Sequence, residues 1–183
     1  TVTISNQIVT EADINILRNG FFNQVNPDGT AAEWSNSRHV VDGAMFIPAA
    51  TVQNPDWWNE STANQSRFGL NATDSYTFSF VAWAEESDTL YVDFEDAREA
   101  VGYLRYGTSA HEFSTSMSDG SADYQSQWEF ETNTERTYYL IDENLVFDDW
   151  LPASNESFNI MGGLHQAGGI YIDNVVLYNN NDK

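Results

Sequence analysis

The sequence predicts an all-β fold, a sandwich of two packed antiparallel sheets, and three observations carry that prediction. Short runs of period-two alternation recur along the chain, clusters of Asn, Asp, Ser, Gly and Thr separate them, and apolar residues seldom recur at helical spacing. A length of 183 residues suits one core, so a single domain over 1–183 is expected.

The first thirteen residues read as an edge strand, Val2 to Ile4, or as a linker. Early strands are expected at Ile14–Leu17, Trp34–Val40 and Ala44–Ile47. Pro48–Gln65 holds two prolines, several Asn and a Trp pair without alternation, and reads as a long surface loop of the kind that often carries function. Tyr76–Trp83 is the clearest strand: Tyr76, Phe78, Phe80 and Ala82 share a core face, while Thr77, Ser79, Val81 and Trp83 share the other. In Thr89–Glu95, Leu90, Val92 and Phe94 point inward and Thr89, Tyr91, Asp93 and Glu95 outward. A hairpin through Glu85 to Asp88 is expected to join these two runs. Further strands follow at Val101–Tyr106, Gln127–Glu131, Arg136–Ile141, Ser157–Met161 and Ile170–Tyr178, and Asn179–Lys183 reads as a frayed tail. No internal repeat is present.

Seven Lys and Arg against 28 Asp and Glu give a net charge of −21. Such a chain repels phosphates and anionic headgroups, which argues against nucleic acid and membrane surfaces as partners and favours an uncharged one. It also stays soluble in salt, which fits a marine or saline setting. There is no Cys, hence no disulfide, thiolate chemistry or Cys-ligated metal. No apolar run approaches a membrane span, and no basic-then-apolar leader opens the chain, which reads as mature or excised. Six Trp, nine Tyr and eleven Phe are an aromatic surplus that hints at function.

Three segments carry a family likeness. The closing run Gly168 to Tyr178, with Ile172-Asp173-Asn174-Val175 at its centre, resembles the last strand of carbohydrate-binding modules of the family 4, 9 and 22 type. Asn15-Ile16-Leu17-Arg18-Asn19-Gly20-Phe21-Phe22, followed by Trp34, is similar to that family's opening segment, and Tyr76–Trp83 to its central strand. The resemblance spans Asn15 to Tyr178. It implies a jelly-roll sandwich, secreted or on a cell surface, that binds polysaccharide without catalysis. A neutral β-glucan such as laminarin or mixed-linkage glucan is the implied ligand, with a monomeric module attached in some proteins to a catalytic domain. It further implies a structural calcium where the first and last strands meet. There it places Asp173, with Asn19 as a second oxygen donor. Asn23 stands where the family frequently has an acid.

Sugars offer apolar C–H faces rimmed by hydroxyls, so a site needs flat rings and bidentate polar groups. Trp57 and Trp58 lie in the polar stretch Pro55 to Glu60, where burying both indoles is difficult. Trp83 falls on the polar face of its strand, and Tyr91 on that of the next. Tyr103 and Arg105 share one face of their strand, opposite Leu104 and Tyr106, and Gln127 faces oppositely to Trp128. These are the candidate ligand contacts. Trp34 and Trp128 stay open between core and platform.

A glycosidase is the enzymatic alternative, because Asp93 with Glu95 and Glu129 with Glu131 stand at alternate strand positions. In so acidic a chain such pairs arise by chance, neither fits a Glu-x-Asp-x-x-Glu pattern, and no catalytic residue is assigned. His39, His111 and His165 show neither metal-ligand spacing nor a triad. The remaining alternative is a structural or adhesive spacer of a cell-surface protein.

Overall fold

Period-two alternation becomes two facing sheets in the computed structural model, which describes residues 14–36, 38–48, 62–66, 68–86, 88–98, 102–106, 128–132, 134–147, 156–162 and 169–182. The strands among these residues are β1 (Val40–Val41), β2 (Ala44–Ile47), β3 (Thr62–Ser66), β4 (Ser75–Ala84), β5 (Asp88–Arg98), β6 (Gly102–Tyr106), β7 (Trp128–Thr132), β8 (Thr137–Val146), β9 (Glu156–Gly162) and β10 (Ile170–Asn179). One sheet runs β1-β2-β10-β4-β8. The other runs β3-β9-β5, and β6 and β7 lie end to end along the far edge of β5, pairing with Phe94–Arg98 and Asp88–Val92 respectively. Every pairing is antiparallel.

The inner faces follow the predicted alternation. Tyr76, Phe78, Phe80 and Ala82 of β4 are buried, as are Leu90, Val92 and Phe94 of β5. Between the sheets the aromatics interlock: Phe78 lies 5.3 Å from Phe94 and 5.5 Å from Phe158, both edge-on, and Phe94 lies 4.8 Å from Phe158. Edge-to-face rings add attraction beyond the area they bury, so this cluster ties one sheet to the other.

Connectivity differs from expectation in several places. β4 and β5 form no hairpin: β4 pairs with β10 and β8, whereas β5 pairs with β9, β6 and β7, so the chain crosses between sheets at Glu85–Asp88. The stretch expected to be one loop ends in β3, whose Ala63 and Gln65 are buried against β9. Trp34–Val40 is no continuous strand but holds the isolated bridges Ser35 to Asn64 and Thr30 to His39 before β1. Ile14–Leu17 is not a strand: Ile14 is helical, and Ile16 and Leu17 form a bend fixed to β10 by the Ile16 amide donating to the Leu177 carbonyl at 2.8 Å. Residues 1–13 and Val101 lie outside the described residues.

The opening segment clasps an irregularity in β10. The register against β4 shifts between Asp173 and Val176, and Asn174 has φ 48°. The side chain of Asn15 spans this bulge: its Nδ2 donates to the Val175 carbonyl at 2.9 Å, and its Oδ1 accepts from Leu177 N at 2.9 Å. Val175 N donates to the Gly20 carbonyl at 2.9 Å. A Cβ on Gly20 would stand 2.1 Å from the Val175 oxygen, so only glycine permits this approach.

Asn179–Asp182 is ordered rather than frayed, and Lys183 lies outside the described residues. Asn180–Asp182 forms a 3-10 turn, in which Asn180 bonds Thr77, Ser75 and Glu143, while Asn179 and Asn181 donate to Asp74.

Candidate functional site

Opposite the core, the second sheet presents a face set by the same alternation. On β9, Phe158 and Ile160 are buried inward, which leaves Ser157, Asn159 and Met161 at outer positions. The register then builds three rows across the strands. Asn64, Asn159 and Asp93 make the central row. Thr62, Met161, Tyr91 and Glu129 make a row on one side of it. Ser66, Ser157, Glu95 and Arg105 make the row on the other side, with position 103 next along the β6 edge. Neighbouring strands lie about 4.8 Å apart and successive same-face positions about 6.7 Å. The face is therefore a lattice of amide, carboxylate, hydroxyl, guanidinium and tyrosine positions.

Such a lattice is suited to hydroxyl-rich ligands, because Asn, Asp, Glu and Arg each bond in pairs and tyrosine offers both a ring and a hydroxyl. Asn159 is only 8% exposed at the centre of the face. The Ser157 hydroxyl donates to its Oδ1 at 3.2 Å.

Among the predicted contacts, Tyr91, Tyr103 and Arg105 take positions on this one face. Trp57, Trp58 and Gln127 lie outside the described residues. Trp83 does not join the group: it belongs to β4, in the other sheet, and occupies the outer face on the opposite side of the sandwich. The expected hairpin had set Trp83 beside Tyr91, and its absence separates them. Trp34 is a core residue, 8% exposed, packed 5.7 Å from Phe22 and 6.0 Å from Phe158, with its indole N–H donating to the Asn19 carbonyl at 3.2 Å. Register with Val92 puts position 128 on the inner face. Nothing in the sequence marks Asn64 and Asn159 apart from the alternation, which puts them on the same sheet face as position 91.

Asn19 and Asp173 do not assemble a calcium donor set. The Asn19 amide is committed within its own loop: Oδ1 accepts from Gln24 N at 3.0 Å, and Nδ2 donates to the Gln24 and Ala32 carbonyls at 2.8 and 2.7 Å. The Asp173 carboxylate bonds the Arg136 guanidinium with one oxygen and accepts from Asn174 N at 2.8 Å with the other. A cation here would have to displace an arginine. Asn23, in the position matching the family's acid, is exposed. No group of three or more His, Asp or Glu suited to a metal occurs among the described residues.

The whole-chain comparisons rest on shape. A solved carbohydrate-binding module of family 4 superposes with a TM-score of 0.61 at 17% identity, covering 90% of this chain and 99% of that one. The chain shares its β-sandwich fold. A protein of Bacteroides thetaiotaomicron described as a candidate sugar binder superposes with a TM-score of 0.51 at 19% identity, over 91% of this chain and 100% of that one. No family model and no curated protein matches the sequence.

Proposed function

We propose that the outer face of the second sheet binds a polysaccharide without catalysis. The observation that carries this reading is the three-row lattice around Asn64, Asn159 and Asp93, in which Tyr91 stands on one side of the central row and Arg105 and Tyr103 on the other. The fold shared with a carbohydrate-binding module supports it. A neutral β-glucan of the laminarin or mixed-linkage type suits a chain of net charge −21, which repels sulfated and uronic polymers. Trp57 and Trp58 supply stacking rings from the polar segment before β3. Contacts of this kind, spread over several sugars, give micromolar to millimolar affinity that rises with chain length. The module acts extracellularly as a monomer, and beside a catalytic domain it would raise the effective concentration of substrate.

Affinity electrophoresis against laminarin, mixed-linkage glucan, an alginate and a sulfated galactan tests the proposal. Retardation by a neutral glucan that is lost in the Trp57→Ala/Trp58→Ala double variant is expected. Migration unaffected by every polymer would overturn it in favour of a spacer, and release of reducing ends would show an enzyme.

A further inference from the structure

On the first sheet, where β10 begins and β4 ends, register sets Tyr171 between Phe46 of β2 and Trp83 of β4. The rings follow the ladder. Phe46 and Tyr171 lie 5.0 Å apart, and Tyr171 and Trp83 lie 5.4 Å apart with planes only 9° from parallel. Gly169 makes room for this row, since a Cβ there would fall 2.3 Å from the Phe46 ring. Arg136 completes it: its guanidinium carbon lies 4.6 Å from the Trp83 ring centroid while the group bonds Asp173. Trp83 is thereby held between a tyrosine and a cation and remains only partly buried.

Beside this row is a recess of about 450 Å³, within the roughly 300–1,000 Å³ of small-molecule sites. Trp83 and Tyr171 supply its rings, while Val41 and Asp42 from the β1–β2 turn, Glu85 after β4 and Thr134 before β8 complete its walls. Asp42, Glu85 and Thr134 are exposed.

We propose that this recess is a second saccharide-binding site, on the side of the sandwich opposite the lattice face, taking a neutral sugar residue. Because Tyr171 and Arg136 cover the faces of Trp83, the partly buried edges of the two rings meet apolar C–H groups of the sugar, and the two carboxylates and the threonine hydroxyl accept from its hydroxyls. Asp42 and Glu85 repel phosphate, sulfate and uronate groups. Arg136 already holds the cation position over Trp83, so a cationic ligand has only the two carboxylates to meet it. With one site on each side, a single molecule joins two glycan chains.

Amide and indole NMR signals of the wild-type protein, titrated with glucose, cellohexaose, laminarihexaose and glucosamine at up to about 10 mM, test this. Loss of a signal in Trp83→Phe identifies its indole. The expected result is a shift of the Trp83 indole and of the Asp42 and Thr134 amides with a neutral sugar, weakened about tenfold or more in Asp42→Ala/Glu85→Ala. Both side chains are exposed, and because Asp42 has φ 51°, Asp42→Gly/Glu85→Ala is measured beside it as the variant that leaves the β1–β2 turn unstrained. Stationary signals at Trp83 with all four sugars, a shift with glucosamine alone, or undiminished binding in the double variant would overturn the proposal. Shifts in β5 and β9 report the lattice face separately, so either site can fail without the other.

Discussion

Asn15 and Val175 are 160 residues apart in sequence and joined by a 2.9 Å bond from the asparagine amide to the valine carbonyl. Because the same side chain also accepts from Leu177 N, it replaces the ladder bonds that the bulge in β10 gives up. Asn15→Ala leaves these groups unpaired and is predicted to cost about 2–4 kcal/mol, a fall of roughly 5–15 °C in melting temperature. Gly20→Ala, which drives a methyl into the Val175 carbonyl, is predicted to be at least as damaging. Thermal unfolding of the two variants checks both.

Phe94 touches aromatic rings of both sheets, Phe78 on one and Phe158 on the other. Phe94→Ala is predicted to lose about 3–5 kcal/mol, measured by denaturant unfolding. Phe94→Leu, which fills more of the space, is predicted to lose less.

Asp173 is paired with Arg136 and with the Asn174 amide. Asp173→Asn removes the charge partner of a half-exposed arginine and is predicted to lower stability by about 1–2 kcal/mol. The loss is predicted to be the same in EDTA as in added calcium. A calcium-dependent difference would assign Asp173 to a metal instead of to Arg136.

Burial pushes the Tyr76 phenol above the ordinary tyrosine value, and burial raises Tyr139 likewise. Their stabilisation is therefore fully present below the unfolded value, near pH 10. It is lost as pH rises through the higher folded values, because the unfolded chain releases its protons first. Melting temperature is predicted to fall between about pH 9.5 and 11. Tyr76→Phe is predicted to shrink that limb without abolishing it, and to cost stability at neutral pH because Asn71 N loses the phenol oxygen it bonds at 2.8 Å.

Facing was legible in the sequence and partnership was not. Alternation along Tyr76–Trp83 and Thr89–Glu95 is local, so it assigns Phe78 and Phe94 inward correctly. Which sheet a strand joins depends on distant partners: both edges of β4 are taken by β8 and β10, which left no edge for β5. The displacement of Trp83 from the lattice face follows from that one difference. The order of the tail is not legible for a similar reason, since Asn179 is anchored by Asp74, 105 residues away. Asn159 was readable as an outer position once Phe158 and Ile160 were taken as core. Its central place, between Asn64 and Asp93, depended on which strands flank β9.

The decisive measurement is laminarin and mixed-linkage glucan binding by the wild type and by Tyr91→Ala/Arg105→Ala, by isothermal titration calorimetry beside a melting curve for each. Binding by the wild type that falls at least about tenfold in a variant with native melting behaviour is the predicted result. Equal glucan affinity in both proteins would contradict the assignment of this face.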